Sequence, residues 1–118
     1  MNMYDREGNR ISMKRFGELL ADPRYKILQQ TKLGGLLIST VWIGIDMNFM
    51  GGPPVIFESM VFDQDEEDPD SLGEGVEQIR YATEAEALAG HDRLVGEYTK
   101  LLDVDTTIAA LTDSEPDN

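Results

Sequence analysis

Residues Tyr25–Asp46 read YKILQQTKLGGLLISTVWIGID, and the fold depends on how this stretch divides. Its first part alternates. Tyr25, Ile27, Thr31 and Leu33 fall on one face and Lys26, Gln30 and Lys32 on the other, the pattern of a half-buried strand. Gly34-Gly35 then supplies a two-residue hairpin connection. The second part, Leu36–Asp46, is apolar on both faces: Leu37, Val41, Ile43 and Ile45 project one way, Leu36, Ile38 and Trp42 the other. A strand with two apolar faces belongs in the centre of a sheet, covered on both sides.

Downstream, Pro54 opens a third strand, VIFESMVF, because proline is tolerated at a strand's first residue. The following DQDEEDPDSLGEG is too acidic and glycine-rich to pack and reads as a mobile loop. EQIRYA is a short fourth strand with Ile79 and Tyr81 on one face. Upstream, Ser12 caps a short helix carrying Phe16, Leu19 and Leu20 on one face, which Asp22-Pro23 stops. Thr83-Glu84-Ala85-Glu86 is a capping box, with the threonine hydroxyl capping the helix while Glu86 reaches back. Behind it Leu88, His91, Leu94, Val95, Tyr98 and Leu101 or Leu102 recur at helical spacing, so a helix spans Glu84–Leu102. The expected fold is α+β: a four-stranded antiparallel meander in the order α-β-β-β-β-α, with the long C-terminal helix packed on the sheet. Residues 1–103 form the single domain, and 104–118 an acidic, largely disordered tail with at most one short helical turn.

Charge separates along the chain. Residues 1–45 hold seven Lys/Arg against four Asp/Glu, and residues 46–118 hold three against nineteen, so +3 and −16 make up the net −13. A field of that sign repels polyanions and argues against nucleic acid as a partner. No apolar run reaches the roughly 20 residues of a membrane span, since glycines and hydroxyls interrupt Leu33–Ile45. The N-terminal MNMYDREGNR lacks the apolar core of a signal peptide, and the chain has no cysteine. Those features point to a cytoplasmic protein without disulfides or thiolate metal sites.

Four features bear on chemistry. In IDMNFMGGPPVIF (Ile45–Phe57), Asp46, Asn48 and Glu58 just beyond could gather polar groups around an apolar mouth of Met47, Phe49 and Met50. The simpler reading is structural, with glycines freeing the chain and prolines stiffening its return. In the acidic loop, Asp63, Asp65, Glu67, Ser71 and Glu74 fall at five calcium-loop positions, but Asp68 stands where the sharp turn needs glycine, so no metal is expected. His91 is the only histidine and lies between apolar positions of the helix, where a core role outweighs a general base. No serine sits in a nucleophile elbow and no phosphate loop is present. The expectation is a protein that is not an enzyme and needs no cofactor.

The segments MYDREGNRIS, FGELLADPRYKILQQT, LLISTVWIGIDMNFMGGPPVIFESMVF and RYATEAEALAGHDRLV resemble a family of small proteins encoded by bacteriophages and prophages. The resemblance covers most of residues 4–98, and STVWIGID…GGPPVIFESMVF is its most specific part. In that family the residue after the aspartate is commonly histidine, where this chain has Met47. The resemblance implies a phage setting, hence the host cytoplasm, and supplies no catalytic residue.

The function expected from these features is that of a phage accessory protein binding a host protein with a basic surface, whether to inhibit a defence system or to redirect host machinery. Asp46, Asn48, Phe49, Met50, Glu58 and the acidic Asp65, Glu66, Glu67, Asp68 and Asp70 are the candidate contact residues. A small-ligand binder or enzyme using the Asp46–Glu58 region, or a virion component, is the alternative. The two apolar faces of the central strand also suggest a homodimer with Ile38 and Trp42 near its centre.

Overall fold

The structure, a computed structural model, describes residues 2–48, 50–64 and 74–113, with the backbone alone at Glu74 and residues 104–113. A two-stranded hairpin, β1 (Met3–Tyr4) and β2 (Arg10–Ile11), leads into two helices, α1 (Met13–Leu20) and α2 (Pro23–Lys26). Strands β3 (Ile27–Leu33), β4 (Leu36–Trp42), β5 (Phe57–Asp63) and β6 (Glu74–Tyr81) follow, then α3 (Glu84–Asp113). The four long strands form one antiparallel sheet in sequential order, and α3 packs on it. This is the expected α+β meander.

Local signals account for most boundaries. The Ser12 side chain accepts the Arg15 N–H at 3.1 Å and opens α1. Asp22 caps α2 through the Arg24 N–H, and Pro23 occupies its first turn, so Tyr25 and Lys26 are helical rather than the start of the strand. Leu33 pairs with Leu36, leaving Gly34-Gly35 as the two-residue turn. Thr83 Oγ accepts the Glu86 N–H at 3.1 Å at the head of α3. That helix continues to Asp113, well past Leu102 where the apolar spacing fades. Residues 114–118 lie outside the described part.

One face of the sheet carries the core. Trp42, Phe57, Ile38, Ile56, Val61 and Leu94 are fully buried there. Leu94 of α3 packs over Ile38 and Val61, while Leu19, Phe16 and Tyr25 from the N-terminal helices gather with Tyr4 around Trp42. Gly90 lets α3 come down on the sheet, because a β-carbon at that position would overlap the Tyr81 ring. Arg6 fastens the hairpin to this assembly. Its Nε donates to Glu84 at 2.6 Å, and its N–H donates to the Tyr25 hydroxyl at 2.7 Å. The guanidinium hydrogen bond holds the Glu84 carboxyl below its ordinary range.

Two expectations need correcting. Ile38 and Trp42, expected at a dimer centre, have no exposed surface, because α3 and the N-terminal helices cover the same face of β4. A second copy cannot reach them. The opposite face, with Leu37, Ser39 and Val41, is the one that no helix spans. The alternation in β3 is also broken. A bulge between Ile27 and Gln29 turns Ile27 to the side of Gln30 and Lys32, opposite Thr31.

Two substitutions probe this packing. Gly44 sits at φ +72° where the chain leaves β4, and an added β-carbon would lie 2.5 Å from Trp42 Cζ2 and 2.7 Å from Phe16 Cε1. Gly44→Ala therefore combines a left-handed backbone with overpacking, and thermal melting should show a loss of about 2 kcal/mol or more. Tyr81 is buried and its hydroxyl has no partner among the described residues. Removing an unsatisfied polar atom relieves its desolvation, so Tyr81→Phe should match or exceed the wild-type melting temperature. A marked loss of stability would mean that the hydroxyl is bonded.

Candidate functional site

The segment that looked most like a site mouth is a self-fastened turn. Asp46 Oδ1 accepts the N–H of Asn48 at 2.9 Å and of Val55 at 3.0 Å, and Met47 N–H donates to the Val55 carbonyl at 3.1 Å. The Asn48 amide reaches the carbonyls of Gly51 and Pro53, and its oxygen accepts the Met50 N–H. Gly51 and Gly52, at φ +89° and +93°, take the left-handed conformations that this closure needs. Asp46 Oδ1 and the Asn48 amide oxygen are thus taken up by backbone N–H groups of their own segment. Met50, although its N–H is held in the turn, is 94% exposed. Phe49 lies outside the described residues, as do Asp65, Glu66, Glu67, Asp68 and Asp70, and with them most of the calcium-like spacing.

Glu58 is elsewhere, on the open face of β5. Its Oε2 accepts Gln78 Nε2 at 2.7 Å and Arg80 Nε at 3.3 Å. Asp46 and Glu58 are therefore committed to separate partners and do not form a carboxylate pair. Among the described residues no group of three potential metal ligands converges.

His91 is at the centre of a buried polar network. Its Nδ1 lies 2.7 Å from Thr40 Oγ1 and its Nε2 lies 2.8 Å from Thr31 Oγ1, while Thr40 Oγ1 lies 2.6 Å from Ser59 Oγ. A neutral imidazole satisfies this network with one nitrogen donating and the other accepting. Burial pushes the His91 pKa below its ordinary value, against a smaller opposing effect of the Asp92 carboxylate. His91, Thr40 and Ser59 have no exposed surface, and Ser59 touches Thr40 rather than the imidazole. The arrangement ties α3 to three strands and offers a substrate no approach. Tyr98 is similarly engaged: its hydroxyl donates to Glu77 at 2.7 Å, and burial and that carboxylate push its pKa up to about 12.

A broad concavity lies on the other face of the sheet. Cross-strand register sets side chains in rows there: Ile27, Val41, Glu58 and Arg80; then Gln30, Ser39, Met60 and Gln78; then Lys32, Leu37 and Phe62. Leu20 and Pro23, where α1 passes into α2, wall one end. With the β3–β5 members of the first two rows and Phe62 of the third, they line a cleft of about 420 Å³, within the range of binding clefts, which Lys26 and Glu58 also border. Ser39 is held by Gln30 Nε2 at 3.1 Å. The sequence pointed to an apolar second face of β4 but not to this cleft, because the bulge that brings Ile27 into it leaves no composition signal.

No family model matches the chain, and neither a curated protein nor a solved structure was found to resemble it.

Proposed function

We propose that this chain is a non-catalytic binding protein that docks on another protein, and in the phage setting suggested by its sequence, on a host protein with a basic surface. The observation that carries this reading is the distribution of its acid. Seven carboxylates and no cation fall in residues 65–73 and 114–118, which leaves sixteen carboxylates against ten cations in the rest of the chain. Among the described residues, four ion pairs answer Glu84, Glu18, Glu58 and Glu97. Seven of the thirteen excess negative charges thus fall in two short runs that a basic partner can neutralise, with the exposed Met50 available as an apolar contact. The groups capable of chemistry favour the same reading: Asp46, Glu58, His91 and Ser59 are all engaged in structural hydrogen bonds.

Capture from bacterial lysate on the immobilised protein tests this, with a variant in which Asp65, Glu66, Glu67, Asp68 and Asp70 become Asn or Gln. One protein should be retained by the wild type, released by salt and lost by the variant. Equal retention by both would reject the acidic surface as the contact. Co-purification with phage particles instead would favour a virion component.

A further inference from the structure

Residues 23–45 contain no carboxylate, although 23 of the chain's 118 residues are Asp or Glu. The stretch does hold Arg24, Lys26 and Lys32, and it builds α2, β3 and β4. One side of the cleft on the open face is therefore cationic in a strongly acidic protein. No carboxylate lies within ion-pair distance of Lys26 or Lys32 among the described residues. Glu58, the acidic residue on the cleft lining, is already shared by Arg80 and Gln78.

We infer that this cleft is a second docking surface, of opposite sign to the acidic runs, and that its occupant is an acidic segment of a partner protein bearing apolar side chains. The apolar side chains enter between Leu20, Ile27, Val41, Met60 and Phe62, and the carboxylates meet Lys26 on the lining and Lys32 in the next row of the same face. Charge complementarity selects this occupant. A second copy of the chain would bring the same face, with its one lining carboxylate already paired, against the same cations. A nucleic acid would meet the cations but has no aliphatic side chains to fill the apolar cleft. A small anion falls short in reach. Lys26 ends α2 and Lys32 lies near the far end of β3, roughly 15–20 Å away along the strand, which a segment of about six extended residues spans. The site is independent of the acidic residues invoked above, so either docking surface can fail without the other.

Fluorescence anisotropy with labelled probes of about twelve residues tests it. The probes are a peptide alternating Glu with Leu and Phe, the same peptide with Lys for Glu, the same with Ser for Leu and Phe, and a single-stranded oligonucleotide. The first alone should bind saturably. Lys26→Glu with Lys32→Glu should weaken it by at least about tenfold, and added salt should weaken it as well. Met60→Asp should also abolish binding. All three positions are on the surface of the sheet or α2, and far-UV circular dichroism verifies that the variants are folded. Undiminished binding in the charge-reversed variant, equal binding of the Ser peptide, preferential binding of the oligonucleotide, or no binding of the first peptide would each overturn the inference. So would a doubled mass in light scattering that Met60→Asp returns to the monomer value, since the occupant would then be a second copy.

Discussion

Trp42→Ala is expected to unfold the protein or nearly so, at a cost of about 3–5 kcal/mol out of a typical total of about 5–15 kcal/mol. Trp42 is fully buried where three parts of the chain meet. Tyr25 of α2 approaches it edge-on with ring centroids 5.0 Å apart, and Phe16 of α1 lies tilted at 5.6 Å. Its Nε1–H donates to the Tyr4 carbonyl at 3.0 Å, which binds the N-terminal hairpin to the end of β4. Truncation leaves a large cavity, removes two aromatic contacts and orphans a carbonyl, so the N-terminal elements lose their anchor together. Trp42→Phe separates these effects. It retains much of the apolar volume and loses the hydrogen bond, and should cost about 1–2 kcal/mol. Urea titration followed by circular dichroism measures both. An alanine variant melting within a few degrees of wild type would mean that Trp42 is not the anchor.

Which parts of this fold were legible follows from where the forces act. Strands β3 to β6 and the start of α3 were readable because their signals are local: the glycine pair, the caps at Ser12 and Thr83, and apolar spacing. The N-terminal hairpin was not recognised, although Asp5 and Gly8 mark it. Asp5 Oδ1 accepts the N–H groups of Glu7 and Asn9, and Gly8 takes φ +87°. Two-residue strands carry too little alternation to be seen, and what holds them is long-range, through the Tyr4 N–H to the Gly44 carbonyl and Arg6 to Glu84. Which face of β4 is covered was not legible either. Both faces are apolar, and nothing local says that α1, α2 and α3 share one of them. Of the polar residues grouped around Asp46 by sequence, Asn48 shares its turn and Glu58 does not, and the backbone N–H groups of Asn48 and Val55 that engage Asp46 have no sequence signature.

His91 gives the second large effect and isolates it in pH. Replacing it with alanine leaves a cavity beneath α3 and takes the hydrogen-bond partner from Thr31 and Thr40, for an expected loss of about 2–4 kcal/mol near neutral pH. The wild-type protein should also lose stability on mild acidification, and the sign follows from the burial. The folded pKa of His91 lies below the ordinary value of 6.5, so the unfolded chain binds the proton more readily. The contribution of the neutral imidazole is complete above the unfolded pKa. It is lost as pH falls from there through the depressed folded pKa, and is then constant. The groups that could mask this are few, because His91 is the only histidine and unperturbed carboxylates titrate near pH 4. A plot of the urea midpoint against pH should therefore fall between about pH 7 and 5 for the wild type and stay flat over that interval for His91→Ala. If both fall in parallel, protonation of His91 is not linked to unfolding, and the neutral, doubly bonded imidazole is the wrong description of the core.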